Sequence, residues 1–251
     1  MTAPSPLSTS VAPDTGSSYG GGEVRVGRLF GIPLRLHWSF LLFVGWLVFD
    51  GLREGSAGMF DAVGWTLMLF GSVLVHELAH ALVGRSRGAA VEDIILLPIG
   101  GATRLSELGG GGRANLAMTA AGPLTSLALA ATAGLAAFVT RAALLPIDIH
   151  HGTVIGRLFW INLVLGLFNL LPVFPMDGGR ILQGLLSPRI GDRRSTIVAA
   201  TVGRVLAAGL VILGLTANFW LIVIGFYLFV EAGREARAAQ SVVSEAESVR
   251  V

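Results

Sequence analysis

Six runs of apolar residues, separated by short polar stretches, set the pattern of this chain. They cover about Leu36–Leu52, Ala62–Val83, Leu116–Val139, Val154–Leu171, Ile197–Thr216 and Phe219–Val230. A helix rises about 1.5 Å per residue, so roughly 20 apolar residues cross a hydrocarbon layer about 30 Å thick. The first run is rather short and the sixth only just long enough; Thr216-Ala217-Asn218 before it reads as a tight hairpin. The pattern predicts an all-α polytopic membrane protein with about six transmembrane helices. Two stretches depart from it. Glu23–Arg35 alternates short apolar pieces with three arginines and predicts either a strand pair or an interfacial segment. Gly88–Glu107 is apolar in the middle but too short to span. Within it Val91, Ile94, Ile95, Leu96 and Leu97 favour a strand, and Pro98, Gly100 and Gly101 punctuate it. Such a piece enters a membrane only where protein buries it or a wet cavity runs beside it. The expectation is a short re-entrant β-hairpin on the cytoplasmic side; the plainer reading is a cytoplasmic loop.

Composition agrees. The chain is 53% hydrophobic and 14% charged, with a mean hydropathy of +0.72, too apolar for an ordinary soluble domain. A net charge of +2 is too small to suggest a nucleic-acid partner. There is no cysteine, so disulfides and thiolate metal ligands are excluded. All 18 basic residues are arginine, which reads as the genomic bias of a GC-rich bacterium. Residues 1–22 are rich in Pro, Ser, Thr and Gly, with neither the basic start nor the apolar core of a signal peptide, and predict a disordered tail. Residues 23–232 form the membrane domain and 233–251 a short cytoplasmic tail.

Arginines in short loops set orientation. With the N-terminus inside, Arg25, Arg28, Arg35, Arg85, Arg87, Arg104, Arg113, Arg180, Arg189, Arg193, Arg194, Arg234, Arg237 and Arg250 are cytoplasmic. Only Arg53 and Arg141 lie outside, with Arg157 near that edge. The expectation is a multi-pass protein of a bacterial cell membrane with both termini cytoplasmic.

The candidate chemistry sits in the second run. His76-Glu77-Leu78-Ala79-His80 places two histidines four residues apart, on one helix face. They can grip one metal ion, and Glu77, about 100° around the helix, can reach a water on it. This is the H-E-x-x-H arrangement of zinc peptidases, with the glutamate as general base. Ionisable groups inside an apolar span usually mark function; the plainer reading, an interhelical polar contact between His76 and a hydroxyl, leaves Glu77 and His80 unexplained. Their depth, in the last third of a run directed inward, puts the metal near the cytoplasmic side.

A catalytic zinc usually has three protein ligands. The fourth run also ends inward, leading into Asn169-Leu170-Leu171-Pro172-Val173-Phe174-Pro175-Met176-Asp177-Gly178-Gly179. Pro172 and Pro175 would unwind the helix and the glycines permit a sharp turn. Asp177 then reaches the depth of the histidines as third ligand; the alternative is a turn-stabilising Asx. Asn169 can hold a developing oxyanion or the substrate backbone, or make an interhelical hydrogen bond. His37 is read as a polar interface residue beside Trp38, and His150 and His151 as loop residues on the far side. The small residues Ala120–Ser126 read as helix packing. Arg204 pairs with Glu231 or snorkels.

Taken together, His76–His80 and the N-x-x-P-x-x-P-x-D-G-G run of Asn169–Gly179 resemble the site-2 protease family of intramembrane zinc metalloproteases. Gly31–Trp38, Leu97–Arg104 and Ala121–Leu124 resemble the same family. The resemblance implies one zinc ion on His76, His80 and Asp177, Glu77 as base and Asn169 near the scissile bond. It also implies that Ile99, Gly100, Gly101, Ala102 and Thr103 pair with an unwound transmembrane substrate as an added strand. The branch it resembles often carries nucleotide-sensing CBS domains; about twenty residues follow the sixth run, too few for a CBS pair or a PDZ domain. Ser126 stands near the place where the family often has asparagine. Two rivals remain: a catalytically silent, partner-binding relative, against which Glu77 argues, and a metal transporter, which would want acidic or histidine residues continuing outward.

Overall fold

The computed structural model describes residues 22–53, 55–98, 100–106, 112–145 and 152–248, and only the backbone of 241–248. The predicted tail at 1–22 lies outside them except for Gly22, as do His150, His151 and Ile99.

Two strands open the described chain, β1 (Glu23–Leu29) and β2 (Ile32–His37). Leu29 pairs with Ile32 across a two-residue turn, Phe30-Gly31, whose φ angles of 51° and 83° are both positive, as a tight twisted hairpin requires. Helix α1 (Trp38–Arg53) and helix α2 (Ser56–Ser86) follow, then β3 (Val91–Leu97) and β4 (Gly100–Leu105). The four strands form one sheet in the order β1-β2-β3-β4, with β2 and β3 parallel through Leu34–Ile94, Arg35–Ile95 and Leu36–Leu96. The all-α expectation with a single re-entrant hairpin is thereby corrected, and Glu23–Arg35 takes the strand-pair alternative. The reason is hydrogen bonding. An isolated β3–β4 hairpin would leave one edge of β3 unpaired although Ile94, Ile95 and Leu96 are all buried; β2 satisfies that edge.

One face of this sheet lies on α2. Ile32, Ala81 and Ile94 form one buried cluster, and Phe40, Phe70, Val73 and Leu96 another that brings in α1. The other face carries an ion network. Asp93, 2% exposed, accepts from Arg104 Nε and Nη2 at 2.7 and 2.6 Å and lies 2.8 Å from Arg35 Nε. Glu23 bridges both arginines at 3.2 and 3.1 Å. All four strands are thus tied. The hydrogen bonds to Asp93 hold the Arg104 guanidinium above its usual range, against the opposing effect of burial.

The remaining helices are α3 (Gly112–Thr140), α4 (Val154–Asn169), α5 (Asp177–Ile190), α6 (Asp192–Gly214) and α7 (Phe219–Ser248). By length and composition α2, α3 and α6 can cross a membrane; α4 is apolar but has 16 residues. The expected C-terminal tail continues α7 as helix to Ser248. Helix α5 has no counterpart among the runs predicted from the sequence. Its start folds back on the preceding loop, because a Cβ at Gly179 would come within 2.8 Å of Phe174 N, and one at Gly178 would strike the Leu171 carbonyl.

That loop is clamped from outside. Phe174 packs with Ala199, Ala200 and Ala232, and Val173 with Ala207 and Leu228, so α6 and α7 grip the segment that delivers Asp177. Arg204 sits 4.6 Å from the centre of the Phe229 ring, while Glu231 pairs with Arg234. Arg204, expected to pair with Glu231 or to snorkel, makes a cation–π contact instead.

Candidate metal centre

One stretch of α2 supplies two buried imidazoles one turn apart. His76 is 3% exposed and His80 8%. Their Nε2 atoms are 3.2 Å apart, and Asp177 Oδ2 lies 3.2 Å from each. The three atoms form an equilateral triangle, although Asp177 is 101 residues from His76. The three side chains that the sequence reading grouped as ligands thus lie together. Asp177 follows the loop after α4, and it is the first residue of a further helix, α5.

The donor set fits a cation. Tetrahedral ligands about 2.0–2.1 Å from a zinc ion lie about 3.3 Å apart, close to the edges seen. Protons can bridge only part of such a triangle, whereas one cation facing it satisfies two nitrogen lone pairs and a carboxylate at once. Among the described residues this is the group of three His, Asp or Glu placed to hold a metal ion. Glycine keeps the space open: a Cβ at Gly122 of α3 would strike His80 Nε2 and lie 2.6 Å from His76 Nε2.

The outer ring atoms are held as well. His80 Nδ1 donates to the Met118 carbonyl at 2.8 Å, which leaves Nε2 as the lone-pair atom. His76 Nδ1 lies 3.0 Å from Ser126 Oγ, which is fully buried; donation to that hydroxyl likewise frees Nε2. One turn before His76, Ser72 Oγ accepts from Asn162 Nδ2 at 3.0 Å, tying α2 to α4. Nearer the other end of α2, Arg157 Nη2 lies 2.7 Å from Asp61 Oδ1. Sequence reasoning weighed a hydroxyl as partner of His76 but did not name Ser126, nor did it find Ser72 and Asn162. The available signal was the burial of polar groups in apolar helices.

Glu77 turns toward the sheet. Its Oε2 accepts from Thr103 Oγ1 at 2.7 Å, and its own carbonyl lies 3.2 Å from the same hydroxyl. Gly101 sits against it, since a Cβ there would lie 2.5 Å from Glu77 Cγ. Gly100, Gly101, Ala102 and Thr103 pair with Leu97, Leu96, Ile95 and Ile94, so β4 is an edge strand. Asn169 ends α4, and its Nδ2 donates to Leu165 O at 2.9 Å, within its own helix. His37 binds Ser39 Oγ at 2.6 Å and stands outside the metal group.

Comparison with known proteins gives one consistent answer. The family model for peptidase family M50 matches residues 64–145 and 142–213. A zinc metalloprotease of Methanocaldococcus jannaschii is 36% identical over 219 residues, covering 87% of this chain and 62% of that protein. The chain therefore spans about three fifths of that relative's length. The stage IV sporulation protein FB of Bacillus subtilis is 34% identical over 119 residues, covering 47% of this chain and 38% of its own. The solved site-2 protease from Methanocaldococcus jannaschii superposes with a TM-score of 0.60 at 33% identity, covering 85% of this chain and 95% of that one.

Proposed function

The chain belongs to peptidase family M50, and on that premise we propose that it is an intramembrane zinc metalloprotease. It hydrolyses a peptide bond in or beside a transmembrane segment of another membrane protein. The observation that carries this reading is the triangle of His76 Nε2, His80 Nε2 and Asp177 Oδ2, with 3.2 Å edges, next to Glu77 in the sequence and opposite a glycine.

In this reading His76, His80 and Asp177 hold one zinc ion. When bound, zinc supplies Lewis acidity, which lowers the pKa of water and polarises a carbonyl. The chain's own groups do the rest. Glu77 takes the proton of the attacking water and passes it to the leaving amine. Ser126 and the Met118 carbonyl fix the two imidazoles so that their Nε2 atoms stay aimed. Asn169 uses one N–H on Leu165 O; an amide has a second, which can donate to the developing oxyanion or to the substrate backbone.

A helix hides its carbonyls in its own hydrogen bonds, so a transmembrane substrate must unwind before it is cut. The free edge of β4 supports the second half of the proposal. Gly100, Gly101, Ala102 and Thr103, with Ile99 beside them, would receive an extended substrate by strand addition. The arginine distribution supports six spans, with both termini and the metal toward the cytoplasm.

Purified protein in proteoliposomes, with bound zinc quantified and a set of single-span substrates supplied, tests this. The expected result is one zinc per chain and cleavage by the wild type. Glu77→Gln should keep zinc and lose about 10²-fold or more of kcat, while Asp177→Ala should lose both. Cleavage undiminished in Glu77→Gln, or full zinc binding in Asp177→Ala, would sink the assignment.

A further inference from the structure

Glu77 is the one group of the proposed chemistry whose side chain is held by the sheet and not by another helix. Side chains of β4 alternate between faces. Arg104 points to the ion network, and Gly101 and Thr103 point to α2. Gly101 leaves room for the Glu77 side chain, and the Thr103 hydroxyl donates to Oε2 at 2.7 Å. The same hydroxyl lies 3.2 Å from the Glu77 main-chain carbonyl, so it bridges the backbone of α2 to the carboxylate it carries. We propose that Thr103 is the positioning residue for the Glu77 base, and that it makes the aim of that base depend on the placement of strand β4. This rests on the protease reading above.

The physical case has three parts. A glutamate has three rotatable bonds, and an unheld one samples rotamers that carry its carboxylate well away from any one proton. With Oε2 fixed by Thr103, the other oxygen is aimed by geometry and is left to take the proton. Second, the tether is on rigid ground: Thr103 pairs with Ile94, which is buried against α2. Third, among the described residues β4 is paired on one side only. A substrate strand added to its open edge would order the strand that aims the base. Thr103 thus contributes through its side chain, in addition to the main-chain pairing its position implies.

Thr103→Val keeps shape and removes the hydroxyl; Thr103→Ser keeps the hydroxyl. The probe is a set of quenched-fluorescent peptides, each an apolar segment of about twenty residues with a central Gly-Pro break, offered to zinc-loaded protein in proteoliposomes. Thr103→Val should lower kcat by about 10- to 100-fold, with KM and zinc content within about twofold, and Thr103→Ser should recover most of it. In a Glu77→Gln background Thr103→Val should have no further effect on residual rate, because it acts through Glu77. A substrate-free readout runs alongside. Thr103→Val should lower the thermal midpoint by about 2–4 °C, and by less than half as much in a Glu77→Leu background.

If wild type cleaves and Glu77→Gln does not, yet Thr103→Val keeps its kcat or changes only KM, the positioning role is overturned while the protease reading stands. Additive effects of the two substitutions on the midpoint also overturn it. If zinc-loaded wild type cleaves none of the peptides, the protease reading fails and the positioning role goes with it.

Discussion

Gly122→Ala adds one carbon at the point where α3 faces the metal triangle. That carbon would strike His80 Nε2 and lie 2.6 Å from His76 Nε2. Ordinary contact between such atoms is about 3.5 Å, so the helix or the rings must give by at least about 0.9 Å. The rings cannot simply swing aside, because their Nδ1 atoms are held by Ser126 Oγ at 3.0 Å and Met118 O at 2.8 Å. A catalytic constellation tolerates displacements of about 0.5 Å. Overpacking of this kind costs about 1–3 kcal/mol, a fall of roughly 3–10 °C in thermal midpoint for a chain of this size. That leaves a folded protein. Zinc affinity should fall much further, by about 10²-fold, since the added methyl also occupies space beside the ligand atoms. Competition against a chromophoric zinc chelator measures this directly. Gly71→Ala on α2, where an added carbon meets nothing within 4 Å, is the control and should bind zinc as wild type does. Wild-type zinc affinity in Gly122→Ala would refute the assignment of this cleft as the metal cradle.

Other substitutions probe the supports. Ser126→Ala removes the partner of His76 Nδ1 and should weaken zinc binding by about 10-fold, read in the same competition. Phe174→Ala empties the clamp between α6 and α7 on the loop leading to Asp177; it should cost about 3–5 kcal/mol in unfolding and lower zinc occupancy although it touches no ligand. Asp93→Asn leaves Arg35 and Arg104 with only Glu23 between them and should cost about 3 kcal/mol, seen as a lowered midpoint with zinc binding kept. Asp93 raises the folded pKa of Arg104, so its contribution is fully present below the unfolded value and is lost only above the still higher folded one. The midpoint difference between wild type and Arg104→Gln should therefore stay flat from pH 6 to 10, and a steady shrinkage across that window would contradict the assignment.

Local features, and features set by chain direction, were legible in the sequence. The H-E-x-x-H spacing lies on one turn of α2, so its meaning needs no tertiary knowledge. Asp177 was reachable by expecting two apolar runs of the same direction to end at one membrane level. The parallel pairing of β2 with β3 was not legible, since α1 and α2 separate them and nothing in either strand names its partner. Helix α5 was hidden because Pro172, Pro175 and two glycines look like an extended loop, and only the close approach of Gly178 and Gly179 to that loop shows a helix starting there. Arg204 was expected to pair with Glu231 or to snorkel; it lies over the ring of Phe229 instead, and aromatic faces leave no charge signature in a sequence.

The small residues of α3 were read as packing, and the site gives that packing a chemical purpose. Bulky side chains hold helix axes about 8–10 Å apart, whereas small residues let backbones approach. Three of the contacts that shape the metal centre depend on that approach: the Met118 carbonyl on His80, the short Ser126 side chain on His76, and the bare Gly122 opposite both ligand nitrogens. These positions are four residues apart, 118, 122 and 126, so they form one stripe along a single face of α3. A further close contact lies at the start of the same helix, where a Cβ at Gly184 of α5 would come within 2.6 Å of the Gly112 carbonyl. Helix α3 thus lies against both sources of ligands, α2 with its histidines and α5 with Asp177. A leucine at Gly122 or Ser126 would separate them, which makes α3 the backing on which the two halves of the site are brought to one point.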